Sequence, residues 1–443
     1  MYEKEERQLT NYKNSYDNIE APLELLDEAI LNGFMKAKAE KRRKPLMKKW
    51  VISIGLAAFI LIGFFSSIRL SPAFANYITV IPGMEKLVEL IRNDKGKMLA
   101  VENDYYEKLG VSQEKNGMTF TIDGAITDEN GLVLFYTVES DNEDTELNID
   151  EPRLNYKDGQ SLNWGSLSHS SGEVHTDGSG KSISTGTLEV GLAQPLESKE
   201  LELKVKVKRE TQTEDFVLPF QLKKEVQEKK TYQLNKTVTI EGQKITFLDT
   251  TIYPLRVAVH IKMDHGNTKK ILNFDDLRLV DENGEVWNKI ANGVSASKIS
   301  DDEAIIYLQS NYFREPKELY LVFNKIQAVD KEEAMVMIDT QKKQILKQPK
   351  ENVFSNLIVD GEQVMLTMQT KNEFHYSPFG EAKDRKGNIV EVPESSMSPK
   401  GGDERVIELG LRIPELQKVM NPISFELSFF PAWIKGETKV QIK

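Results

Sequence analysis

Trp50 to Ile68, WVISIGLAAFILIGFFSSI, is an uncharged run of 19 residues, and it constrains this chain more than any other feature. At 1.5 Å per residue a helix of that length spans roughly 28 Å, close to the hydrocarbon core of a bilayer. A buried helix of a water-soluble domain would be shorter or would carry a polar stripe. The run therefore predicts a transmembrane helix. Its flanks predict an orientation. Lys36, Lys38, Lys41, Arg42, Arg43, Lys44, Lys48 and Lys49 precede it against the single acid Glu40, whereas residues 69–88 carry only Arg69, Glu85 and Lys86. The positive-inside bias places residues 1–49 in the cytosol and residues 69–443 outside. Ala73-Phe74-Ala75 resembles a signal-peptidase site, so release of the ectodomain after Ala75 is an alternative, although 49 residues make an overlong leader.

Residues 1–49 hold 11 Lys+Arg and 9 Asp+Glu; with a whole-chain charge of −11 and an uncharged span, the ectodomain is −13. An acidic ectodomain argues against capture of nucleic acid or of an anionic wall by bulk charge. Cysteine is absent, which removes disulfides, thiol nucleophiles and Cys-ligated zinc together. A large exported region without disulfides suits a Gram-positive envelope.

Within the cytosolic segment Pro22 stands at the favoured first position of a helix. Leu23, Leu26, Ile30 and Phe34 fall along one stripe, with Glu24, Asp27 and Glu28 in the early turns and lysines late, as the helix dipole favours. So short a segment with one amphipathic helix cannot build a core of its own. It lies on the inner leaflet or folds onto a protein partner, and its acidic first half favours the partner. After the span, Pro82-Gly83 predicts one helix and Lys97 to Leu109 another, with Gly110 at its C′ position.

From Met118 the period changes to two. Strands are expected at Met118–Ile122, Leu132–Val138, Leu188–Leu192, Leu201–Val207, Thr237–Ile240, Val257–Ile261, Ile305–Leu308 and Leu319–Phe323. One order of elements recurs. A turn at Lys157-Asp158-Gly159 leading to Trp164 is matched by Asp281–Gly284 with Trp287, and by Asp384–Gly387 with Val390. A strand follows each, at Thr187–Leu192, Ala304–Leu308 and Val406–Leu411, and then another at 198–203, 316–321 and 422–427. Repeats of this size built from short strands predict tandem immunoglobulin-like sandwiches. The expected fold is mainly β. A short cytosolic helix (1–49), a transmembrane helix (50–68) and a membrane-proximal segment of two helices (69–115) precede β-sandwiches at 116–228, 229–346 and 347–443.

No catalytic fingerprint is present, so neither an enzyme nor a cofactor is expected. His169, His175 and Asp177 share a Ser/Gly-rich stretch that reads as a surface loop rather than a metal site. Asp141, Glu143, Asp144, Glu146, Asp150 and Glu151 lack EF-hand spacing. Asp281-Glu282-Asn283-Gly284 is a hairpin turn before it is a ligand set.

The arrangement resembles the membrane-anchored anti-sigma factors of Gram-positive bacteria that act on extracytoplasmic-function sigma factors, in particular those whose span and following segment form a family of unknown function. The residues that carry the resemblance are Ser71-Pro72-Ala73-Phe74-Ala75, Ile81-Pro82-Gly83, Ala100-Val101-Glu102-Asn103 and Asn116 to Asp123, behind Pro22 to Ile30. It implies a single-pass membrane regulator that holds a sigma factor through Leu23, Glu24, Leu26, Asp27, Ile30 and Phe34, with an ectodomain that responds to an envelope ligand or protease. Zinc-type relatives use a His-x3-Cys-x2-Cys set that this cysteine-free chain cannot supply. The rival expectation is a surface-anchored binding or structural module whose tail is only a topology anchor.

Overall fold

The structure, a computed structural model, describes residues 90–142, 146–172, 174–290 and 295–443. The candidate span and the cytosolic stripe lie outside these residues. Among the described residues no helix is long and apolar enough to cross a membrane.

One helix, α1 (Lys95–Glu102), opens the described chain. Asp94 caps it by accepting from the Lys97 amide at 3.1 Å. Its end differs from expectation. Asn103 is the C-cap, Asp104 adopts the left-handed conformation (φ 57°), and the Asp104 and Tyr105 amides bond back to Val101 and Ala100. That is a Schellman closure, made by Asp104 and not by Gly110. Residues 107–109, expected as the end of that helix, instead open strand β1 (Glu107–Lys115), because pairing with β2 (Met118–Thr127) satisfies its backbone. Gly110 (φ 63°) sits instead in the bulge of β1, between Lys108 and Val111.

The rest is β, in three layered units. In unit 1, β1, β2, β3 (Gly131–Ser140), β7 (Ser182–Leu192) and β5 (Trp164–Ser171) lie side by side, with β6 (His175–Thr176) on β7. The facing sheet is β4 (Leu147–Tyr156), β8 (Glu200–Arg209) and β9 (Gln212–Gln221). Alternate residues of both sheets meet in one core that includes Phe120, Tyr136, Leu188, Leu203 and Phe216. Phe120 stacks on Tyr136 at 5.3 Å.

Unit 2 repeats the first sheet as β10 (Lys230–Ile240), β11 (Gln243–Ile252), β12 (Arg256–Met263), β17 (Glu303–Gln309) and β16 (Ala296–Ser300). Its facing sheet is built on β18 (Leu319–Asp330), with β13 (Lys269–Phe274), β14 (Arg278–Asp281) and β15 (Val286–Trp287) to one side. In unit 3, β21 (Phe354–Asp360), β22 (Gln363–Gln369), β26 (Asp403–Arg412) and β25 (Glu394–Lys400) form one sheet. The other holds β20 (Gln344–Lys347), β19 (Met335–Asp339), β27 (Ile423–Leu427), β23 (Phe379–Lys383) and β24 (Ile389–Val390). All eight strands expected from periodicity fall inside observed ones.

The last strand, β28 (Trp433–Gln441), changes the picture that sequence spacing suggests. In unit 1, β8 turns at Glu210-Thr211 and β9 pairs straight back onto it. In unit 2 the chain leaves β18 and continues as β19, which pairs with β27 of unit 3. In unit 3 the chain leaves β27 and continues as β28, which pairs with β18 of unit 2. The two units have thus exchanged the strand that unit 1 keeps. Pairs run from Tyr320↔Gln441 to Gln327↔Trp433 and resume from Met335↔Glu426 to Ile338↔Ile423, joined by amide bonds from Ala328 to Ala432 and from Leu427 to Ala334. Ile434, Val440 and Ile442 complete core 2, while Val336 and Ile338 complete core 3.

The recurring turn is one five-residue device. Tyr156, Asp281 and Asp384 each donate a backbone amide to the carbonyl four residues on, and each accepts at its own carbonyl from a glycine amide three residues on. Those glycines, Gly159, Gly284 and Gly387, have φ of 88°, 81° and 84°, where a side chain would be strained. Three residues beyond each glycine comes Leu162, Trp287 or Val390, all buried. Trp164, expected to match Trp287, is 43% exposed, so Leu162 is the true equivalent.

Candidate functional site

Helix α1 is wedged where units 1 and 2 meet, and it is held by both. Its apolar face is split. Ala100 and Val101 pack with Ile126, Val133 and Phe135 on the outer face of unit 1, whereas Leu99 belongs to the core of unit 2. On the unit 1 side the Lys97 ammonium, itself buried, pairs with Glu189 of β7 and with Asp94 at 3.3 Å. Burial alone would lower its pKa; the two carboxylates outweigh that and hold it above the ordinary lysine value.

On the unit 2 side Lys95 meets Glu285 at 2.7 Å, donates to the Val286 carbonyl at 3.2 Å and lies 4.5 Å from the Trp287 ring centre. Burial pushes its pKa down, against the raising effect of Glu285. Gln309 donates to the Asn93 carbonyl at 2.9 Å. Between the two lysines, Gly96 presses on the backbone at Ser310. A Cβ at Gly96 would lie 2.5 Å from the Ser310 nitrogen, so only glycine fits.

A second set of contacts flanks the helix. Asp128, fully buried in the β2–β3 loop of unit 1, accepts from the Leu255 amide of unit 2 at 2.8 Å and from the Asn130 amide at 2.8 Å. Burial raises its pKa, with Arg256 acting in the opposite direction. Arg256 is itself buried, 5.2 Å from the Tyr307 ring centre. Tyr105 donates to the Thr127 carbonyl at 2.8 Å, accepts from the Gln227 amide and packs against Phe313 at 5.5 Å. The lysine-rich connector between the units is hooked at the Lys223 and Lys224 amides by the Glu107 carboxylate. Asp94, Lys97, Ser166, Ser168, Glu189 and Arg256 line a small polar crevice at this seam. The arrangement ties α1 to units 1 and 2 through ion pairs, and ties the two units to each other through the Asp128 carboxylate.

The sequence-predicted residues fare differently. Leu23, Glu24, Leu26, Asp27, Ile30 and Phe34 lie outside the described residues. His169 and His175 sit on β5 and β6, both of which pair with β7, and Asp177 is used up in its own turn by the Ser179 and Lys181 amides. Asp150 and Glu151 are met by Lys208 at 2.6 Å and Lys206 at 2.9 Å; Glu143 and Asp144 lie outside the described residues. Asp281 caps its turn, accepting from Asn283 and Glu285 amides. Missed from sequence was His260, whose ring nitrogens meet Asp249 at 2.9 Å and Glu303 at 2.8 Å across β11, β12 and β17. No local spacing marks such a set, because strand pairing assembles it. Missed too was Glu373, His375 and Glu404, the one group of three metal-capable side chains that converges among the described residues.

Two family models each match part of the chain. Residues 46–140 match a domain of unknown function (DUF4179), and residues 229–351 match a family of unknown function (DUF5643). The second match runs through unit 2 into β19 and β20 of unit 3, and so takes in the first crossing strand but not the second. No curated protein matches the chain. The crystal structure of a conserved domain protein from Bacillus anthracis aligns at 15% identity and a TM-score of 0.37, over 55% of this chain and 84% of its own.

Proposed function

We propose that the chain is a single-pass membrane anti-sigma factor. Its cytosolic helix sequesters an extracytoplasmic-function sigma factor, and its extracellular part, read as tandem immunoglobulin-like domains, responds to the state of the envelope. The observation that carries this reading is the stripe of Leu23, Leu26, Ile30 and Phe34. A topology anchor needs the basic run before Trp50, but it does not need an apolar helical face in a segment too short to bury one. Glu24 and Asp27 beside the stripe suit the basic surface with which sigma factors meet DNA phosphates. A helix lodged across a sigma factor's polymerase-binding domains blocks holoenzyme formation without any catalysis. Helix α1 supports the sensing half, since it is the first described element after the span and is gripped by two ectodomain units at once.

Binding of residues 1–49 to the genetically linked sigma factor tests the proposal. Burial of a Leu or Ile contributes about 1.5–3 kcal/mol, so Leu26→Ala with Ile30→Ala should weaken binding by at least about tenfold and release the regulon. If the double variant represses as wild type does, or the peptide binds only anionic vesicles, the surface-anchored module takes this reading's place.

A further inference from the structure

We propose that Glu373, His375 and Glu404 form a binding site on unit 3 for a divalent transition metal of the Zn2+ class. The proposal does not depend on the regulatory reading. Glu373 and His375 lie in the loop between β22 and β23, and the start of that loop is fixed. The Thr370 amide donates to the Arg405 carbonyl at 2.8 Å, and the Thr370 hydroxyl donates to the Asn372 carbonyl at 2.6 Å. Phe374, between the two ligands, is buried in core 3, and Tyr376 just beyond stacks on Phe429 at 4.8 Å. With Phe374 anchored inward, its two neighbours are both held outward. Glu404 comes from β26, beside the residue that pins Thr370.

The spacing separates this group from the other carboxylate-facing histidines. His260 and His265 meet their partners at 2.8–3.0 Å, which are hydrogen bonds. His375 Nε2 stands 3.9 Å from Glu373 and 4.0 Å from Glu404, and the three ligand atoms lie within 4.8 Å of one another. That is too far for a direct bond, yet close to what a shared ion requires. Two ligands at about 2.0–2.1 Å on a tetrahedral Zn2+ lie about 3.4 Å apart, a gap that small rotations of exposed side chains can close. Arg405, next to Glu404 in sequence, is already engaged by Asp403 through two bonds of 2.9 Å. One imidazole and two carboxylates are a donor set of three protein ligands with an open position for water. They suit Zn2+ better than Ca2+, which takes six to eight oxygens.

The test uses the full chain stripped of metal with a chelator and titrated with Zn2+ alone by calorimetry, and with Co2+ followed by its visible absorption. One Zn2+ per chain is expected at this site, with the cobalt spectrum of a low-coordinate N/O site. His375→Ala and Glu404→Gln should each weaken binding by at least about the tenfold that loss of even a supporting residue brings. Both positions are exposed, so the circular dichroism spectrum of each variant should be unchanged. A His169→Ala, His175→Ala chain should bind as wild type does. Absence of Zn2+ binding, binding that survives His375→Ala, or displacement by equimolar Ca2+ would each overturn the proposal.

Discussion

Two effects of opposite sign compete at Gly96. Alanine in place of glycine inside a helix ordinarily stabilises by about 1 kcal/mol. Here its Cβ would stand 2.5 Å from a backbone nitrogen at Ser310, and overpacking of that kind destabilises by about 1–3 kcal/mol. The steric effect should win, so Gly96→Ala is expected to lower the melting temperature and to increase protease access at the connector near Lys223. A higher melting temperature would show that the seam yields. His260 gives a pH dependence with a definite sign. Burial would lower its pKa, but the hydrogen bonds that the ring donates to Asp249 and Glu303 raise it overall. The protonated ring therefore stabilises unit 2 fully below about pH 6.5, the value of an unfolded histidine, and this contribution is lost as pH rises through the higher folded value. Melting followed from about pH 6 to about pH 8.5 should show a decline that His260→Gln removes.

Among the elements, the arm formed by β18–β19 and β27–β28 matters most. Gln327 sits at its crossing point with no exposure, donating to Asp275 at 2.7 Å and accepting from the Phe430 amide at 3.0 Å. Gln327→Leu keeps the bulk but strands the buried Phe430 amide, at about 1–3 kcal/mol for an unsatisfied group, whereas Asp275 keeps the Asn273 side-chain amide and the Trp433 indole. Calorimetry should show units 2 and 3 weakened together, whereas unit 1 should be unaffected. The five-residue turn also has consequences at this scale. Because Leu162 and Trp287 occupy equivalent buried places, Leu162→Ala should destabilise unit 1 by about 2–5 kcal/mol, while Trp164→Ala should change little.

For the whole molecule, the exchanged strands make units 2 and 3 a single cooperative body, to which unit 1 is joined at the α1 seam. A fragment of residues 229–346 lacks Ile434, Val440 and Ile442, and a fragment of residues 347–443 lacks Val336 and Ile338. Three buried aliphatic side chains are worth roughly 5–9 kcal/mol, comparable with the 5–15 kcal/mol that holds a whole domain. Neither fragment should melt cooperatively alone, whereas residues 229–443 should do so in one transition and residues 105–228 in another. Independent melting of residues 347–443 would refute the exchange.

Local chemistry explains what could be read in advance. Period-two alternation exposes a strand wherever one face is buried, which is why Leu132–Val138 and Val257–Ile261 were legible. Glycine at the fourth place of the recurring turns was legible because only that residue takes the required φ without strain. The mainly β architecture and the order of its elements follow from those two signals. The apolar run at Trp50 and the stripe from Leu23 are equally local, and they remain statements of sequence. What tertiary structure decided is every choice between partners of similar propensity. Residues 107–115 became a strand because β2 offered their amides a ladder, and Leu162 rather than Trp164 turned inward because of the turn's register. β28 has the same alternation whether it returns to β27 or crosses to β18, and the crossing is held by the ladder to β18 and by the fit of Ile434, Val440 and Ile442 into core 2. The Lys97 pairing, the His260 set and the Glu373–His375–Glu404 group arise in the same way. Each set draws at least one member from a distant part of the chain, so no local pattern could have marked it complete before the fold brought that member in.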